Sequence, residues 1–120
     1  TRVNVSTTGV TANGYSYNPS ISADGRFVTF ESFAWNLVEA DRNRTADSFR
    51  HDLATGETIR VSVAWDGTEA NGFSSNTVIS ADGRFVAFRS AADNLDEYGD
   101  TNRFWDVFVH DCGGAPASQE

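Results

Sequence analysis

An internal repeat is the feature that most restricts what this chain can fold into. Ile21-Ser22-Ala23-Asp24-Gly25-Arg26-Phe27-Val28 recurs 58 residues later as Ile79-Ser80-Ala81-Asp82-Gly83-Arg84-Phe85-Val86. The same offset carries Arg2-Val3 onto Arg60-Val61, Ala12-Asn13-Gly14 onto Ala70-Asn71-Gly72, and Asn36-Leu37 onto Asn94-Leu95. After one inserted residue the offset is 59, relating Asp41-Arg42-Asn43 to Asp100-Thr101-Asn102 and Asp47-Ser48-Phe49 to Asp106-Val107-Phe108. A unit of this kind cannot bury its apolar surface alone and must stack on neighbouring units.

Each copy reads as four short strands, and nothing has a helical period. In the first copy, strand a is Ser20–Ser22 with some lead-in. Ala23–Arg26 is a tight turn in which Asp24 caps the backbone and Gly25 supplies a positive φ. Strand b is Phe27–Glu31, and its run of Phe27, Val28 and Phe30 predicts burial on both faces. A long loop follows to about Ala46, then strand c over Ser48–Asp52. Ala54-Thr55-Gly56-Glu57 makes a second tight turn, and Thr58–Val63 is a β-branched strand d. Hydrophobic residues are 39% of the 120, with nine Phe and three Trp, enough for a modest core. The expected fold class is all-β: two four-stranded antiparallel units stacked as β-propeller blades, each packed on neighbours on both sides.

The residues also carry a family resemblance. Ser22–Ser32 followed by Asp47–Asp52, and more closely Ser80–Ser90 followed by Asp106–Asp111, resembles the WD40-like Pro-Asp repeats of TolB-type β-propellers. The likeness spans nearly the whole chain up to the tail. It departs at the motif's proline, which here is Ala23 and Ala81, and in a unit longer than the roughly 40–45 residues of a WD40 blade. The resemblance implies a propeller fold, for which six blades is the usual TolB-type number.

The register of the strands sets the expected organisation. Residues 1–6 align with strand d, 18–63 form the first blade, 76–111 supply strands a to c of the second, and 112–120 are a small polar tail. Two blades do not close a ring. The expectation is therefore a homo-oligomer in which Thr1–Ser6 of one copy pairs with Val107–Asp111 of the next. Three copies give the favoured six blades, and four give eight. The alternatives are a piece of a longer propeller, acting as accessory domain of a hydrolase or lyase, and a carbohydrate-binding, lectin-like propeller.

Two loops stand out chemically. Asp41, Asn43 and Asp47, and their counterparts Asp100, Asn102 and Asp106, place carboxylate and amide oxygens at i, i+2 and i+6. That spacing suits a hard cation, and calcium is the one expected. The competing reading is that these side chains hydrogen-bond their own loop as Asx-turns. No other cofactor is implied. The tight turns put both long connections on one rim, which carries Tyr15, Tyr17, Trp35, Trp65, Phe73, Tyr98, Phe104 and Trp105 among polar residues. Aromatics in such company suit a peptide or a glycan, and the competing reading is that they pack the loops onto the strands.

Other classes fit poorly. The net charge is −8, from 17 acids against 9 bases, so neither nucleic acid nor an anionic membrane is an expected partner. No apolar run approaches the roughly 18 residues of a membrane span. Cys112 is the single cysteine, so no internal disulfide forms. His51-Asp52 and His110-Asp111 invite thoughts of catalysis, but adjacent strand residues point to opposite faces. There is no nucleophile elbow, zinc cluster or phosphate loop. A non-enzymatic binding or scaffold protein is expected, with no catalytic residue. The expected location is outside the cytoplasm, secreted or periplasmic. Asn4-Val5-Ser6 and Asn43-Arg44-Thr45 match the glycosylation pattern.

Overall fold

A computed structural model describes residues 1–39, 45–64, 66–96 and 104–113. Among these described residues seven strands make two antiparallel sheets and neither sheet closes. The first has β1 (Ser16–Ile21), β2 (Phe27–Ser32), β3 (Asp47–Asp52) and β4 (Thr58–Arg60) in sequential order. The second has β5 (Ser74–Ile79), β6 (Phe85–Ser90) and β7 (Asp106–Asp111). No helix of the described residues is long and apolar enough to cross a membrane.

The predicted Asp-Gly turns join β1 to β2 and β5 to β6. In the first, Asp24 accepts from the Ser22 hydroxyl (2.7 Å) and the Arg26 N–H (3.0 Å), while Gly25 takes φ +76°. Ser80, Asp82, Gly83 and Arg84 repeat that arrangement. Strand bounds differ from the expectation by one residue at the ends of β1 and β2 and the start of β3, and by more at two places. β1 runs from Ser16, because Asn18 adopts φ +53° and makes a bulge, and Pro19 is tolerated on an edge strand. β4 stops at Arg60, because the N–H groups of Val61 and Ser62 both turn onto the Ser48 carbonyl and the chain leaves the sheet. Thr1–Ser6 form no strand, and only Val5 enters a bridge, to Thr11.

Each sheet has its own small core, covered by the connection that precedes it. Phe30 stacks on Phe49 with centroids 5.7 Å apart, over Ala34 and Leu37, and Val3 and Ala12 pack against them. Phe88 stacks on Phe108 at 5.9 Å, beside Ala92 and Leu95, and Ala64 and Ala70 join this cluster. Between the sheets lies a third buried layer, which is largely polar.

Candidate functional site

The joint between the sheets sets the frame for what the molecule presents outward. From the first sheet, Thr29, Glu31, Ser48 and Arg50 face the second sheet and are all buried. The Glu31 carboxylate accepts from the Thr77 N–H (3.1 Å) and from the Asn18 amide (3.2 Å). The hydroxyls of Ser48 and Thr77 lie 2.6 Å apart. Arg50 donates to the Gly83 carbonyl (2.7 Å) and stacks over the Phe27 ring at 4.3 Å. Phe27 itself lies on Gly83, where a Cβ would run into its ring. Ala23 donates its N–H to the Ala81 carbonyl (2.9 Å) and Ser74 its N–H to that of Ala46 (3.2 Å). A buried carboxylate and guanidinium are costly without such partners, so this layer fixes one orientation of the sheets.

Among the described residues, the far side of the second sheet has no such cover. β5 and β6 pair Val78 with Ala87, and β6 and β7 pair Phe85, Ala87 and Arg89 with Asp111, Val109 and Val107. Val78, Phe85, Ala87, Arg89, Val107 and Val109 therefore share the face turned away from the first sheet. Val107 is 77% exposed and Val109 66%. The outer edge of β7 pairs with no strand among the described residues. Beside it opens a cleft of about 320 Å³ lined by Val63, Ala64, Phe88, Leu95, Phe108, Val109, His110 and Asp111. In the first sheet β4 occupies the matching place. There Phe49 pairs with Arg60, Arg50 with Ile59, and His51 with Thr58. The Thr58 hydroxyl lies 2.7 Å from His51 Nδ1 and donates to the Val5 carbonyl (2.6 Å).

The sequence-predicted residues fall into three groups. Asp41, Asn43, Asp100 and Asn102, with Trp65 and Tyr98, lie outside the described residues. Asp47 is buried at the start of β3 and accepts from the Ser62 hydroxyl (3.1 Å), and Asp106 opens β7. Among the described residues no group of three His, Cys, Asp or Glu is placed to hold a metal ion. The aromatics divide in turn. Tyr15, Trp35 and Phe104 are exposed. Tyr17, Phe33, Phe73 and Trp105 form a row across both sheets, with successive centroids 6.0, 6.2 and 5.7 Å apart. Arg89 stacks over Trp105 at the end of it, 4.7 Å from the centroid. Phe33 was not among the expected residues, since its counterpart in the second copy is Ala91 and no repeat marks it.

In the two His-Asp pairs, His51 meets the Thr58 hydroxyl through Nδ1 and each carboxylate is held by an arginine. Asp52 takes a bidentate pair from Arg26 (2.9 and 2.8 Å), which holds its carboxyl well below the usual range. Arg84 does the same to Asp111 (2.8 and 2.8 Å), drawing it down to about 2. Burial lowers both histidines, and for His110 the Arg50 guanidinium adds to the effect. Burial also raises the Cys112 thiol. These pairs tie each β-turn arginine to the end of the third strand of its sheet. Nothing in the sequence spacing marks them, because they close across 26 and 27 residues.

No protein-family model matches this chain, and no curated protein matches it.

Proposed function

We propose that the chain is a non-enzymatic β-propeller unit of two blades, a binding scaffold that assembles with copies of itself into a ring. The observation that carries this reading is the edge of β7, which pairs with no strand among the described residues, beside its cleft and at the place β4 fills in the first sheet. Residues Thr1–Asn4 are the counterparts of Ile59–Ser62. Seated on β7 of another copy, Arg2 would pair with Phe108 and Thr1 with Val109, as Arg60 and Ile59 pair with Phe49 and Arg50. Asn4 would meet Asp106 as Ser62 meets Asp47. An exposed edge next to apolar surface is a template for strand addition. A head-to-tail contact closes into a ring when its rotation allows. The TolB-type likeness favours six blades from three copies over eight from four.

Light scattering over a range of concentrations tests the reading. Three or four times 13.1 kDa is the expected mass. A species that stays at 13.1 kDa at every concentration sinks it.

The aromatic row favours a ligand for this scaffold. Tyr17, Phe33, Phe73 and Trp105 give a continuous ring surface over both blades, and a glycan or an extended peptide lies well on such a surface. Repetition of the row around an assembly would add avidity. Glycan-array and peptide-array binding that disappears in Trp105→Ala is the expected result, and binding unchanged by that substitution counts against the row.

A further inference from the structure

We infer that the exposed face of the second sheet takes the outer face of the first sheet of another copy, forming a joint that is apolar where the joint within one chain is polar. This rests on the assembly proposed above and specifies its chemistry. The occupant is read from the molecule's own internal joint, because the residues that meet at its centre and at its turn occupy positions that recur, with other side chains, on the two outer faces.

The central contact is the clearest. Within one chain Thr77 offers an N–H to Glu31 and a hydroxyl to Ser48. The counterpart of Thr77 is Pro19, which has no N–H. The counterparts of Glu31 and Ser48 are Arg89 and Val107, which have no side-chain acceptor. Donor and acceptors are thus gone from both outer faces together. A glutamate at 89 facing Pro19 would have lost the backbone partner that Glu31 has, at the cost of a buried unpaired carboxylate. Arg89 instead bonds to Ser75 (3.2 Å) and lies over Trp105.

The turn contact follows the same plan. Phe27 covers Gly83, whereas its counterpart Phe85 is exposed and the counterpart of Gly83, Gly25, has open space where a Cβ would stand. Arg50, which caps that contact by bonding to Gly83, is replaced by Val109. The exposed large hydrophobic side chains that lie within strands are Ile21, Val78, Phe85, Val107 and Val109, and all five belong to these two faces. Ile21 shares its face with Val28 and so points away from the second sheet. The same neighbouring copy that lays Thr1–Asn4 along β7 would bring Pro19, Ile21 and Gly25 onto this face. Edge and face therefore select one partner. Polar and apolar joints would alternate around the ring, and the difference keeps a sheet from docking one place out of register.

Cross-linking and mass together test this. Pro19→Cys and Val107→Cys are made separately, each with Cys112→Ser to remove the native thiol, then mixed and oxidised. The expected product is a disulfide-linked dimer from the mixture and from neither variant alone, since the side chains of Ser48 and Thr77, the counterparts of Val107 and Pro19, touch in the internal joint. Val107→Glu, at a side chain 77% exposed in one copy, is expected to fold and to return the mass to 13.1 kDa. A multimeric mass with no 19–107 disulfide, or a Val107→Glu chain that still assembles, overturns the face pairing and leaves assembly standing. A mass of 13.1 kDa for the unaltered chain overturns both.

Discussion

β3 and β7 differ little in sequence, Asp-Ser-Phe-Arg-His-Asp against Asp-Val-Phe-Val-His-Asp, yet differ sharply in environment. All six residues of β3 are buried, whereas β7 alternates between half-buried and exposed. β3 has β4 on one side and the second sheet across one face. β7 has neither among the described residues. Burial in these sheets is thus conferred by neighbours and not by the strand itself. The two substitutions that separate β3 from β7, Ser48 to Val107 and Arg50 to Val109, fall on the face where the neighbours differ.

The largest test of that contrast is the matched pair of phenylalanines. Phe49 is fully buried and Phe108 only partly. Phe49→Ala should cost about 3–5 kcal/mol, a cavity-forming loss large enough to unfold a marginal domain. Phe108→Ala should cost less than about 2 kcal/mol in the dissociated chain. Urea denaturation gives both values. Equal losses would mean that the second sheet is as well covered as the first.

The polar joint supplies the next test. Glu31→Ala strips acceptors from the Thr77 N–H and the Asn18 amide inside a buried layer, and about 1–3 kcal/mol should be lost. Arg89→Ala, at the matching place on the outer face, should change stability by no more than about 0.5 kcal/mol in a dissociated chain. A comparable loss for Arg89 at concentrations where the chain is a single copy would remove the distinction between the two faces.

What was legible in the sequence follows the same division between local and neighbour-conferred structure. The all-β class, the Asp-Gly turns and the cores of β2, β3, β6 and β7 are local, and the repeated Asp24-Gly25 and Asp82-Gly83 announce them. The start of β1 was not legible, because Asn18 and Pro19 look like turn residues until the bulge and the edge position are known. The Arg26–Asp52 and Arg84–Asp111 pairs join turn to strand end through the fold, so no short motif marks them. Tyr17, Phe73 and Trp105 were expected on the long connections, but Tyr17 lies within β1, and the alignment of all three through Phe33 depends on how the sheets meet. Asp47 was expected on a cation. Its burial and its bond to Ser62 give it a structural task whatever the loop before it holds.

The smallest effects should be in acid. Burial lowers His51 and His110, so the fold favours their neutral forms. That contribution is complete above the unfolded value of about 6.5 and is lost as pH falls through it. Asp52 and Asp111 are also lowered, by their arginines, so their contribution holds above about 4 and is lost further down. Stability measured by urea midpoint should therefore decline in two stages from pH 7 to pH 3. The carboxylate side chain of Asp52 is 7% exposed and that of Asp111 46%. Asp52→Asn should accordingly remove more of the lower stage than Asp111→Asn, because solvent screens the exposed pair. A neighbouring sheet packed on the face that Asp111 shares with Phe85 and Val109 would narrow that gap by covering Asp111. The two variants should then differ most in dilute protein and least in concentrated protein. A gap that ignores concentration would show that the outer face of the second sheet stays open to water.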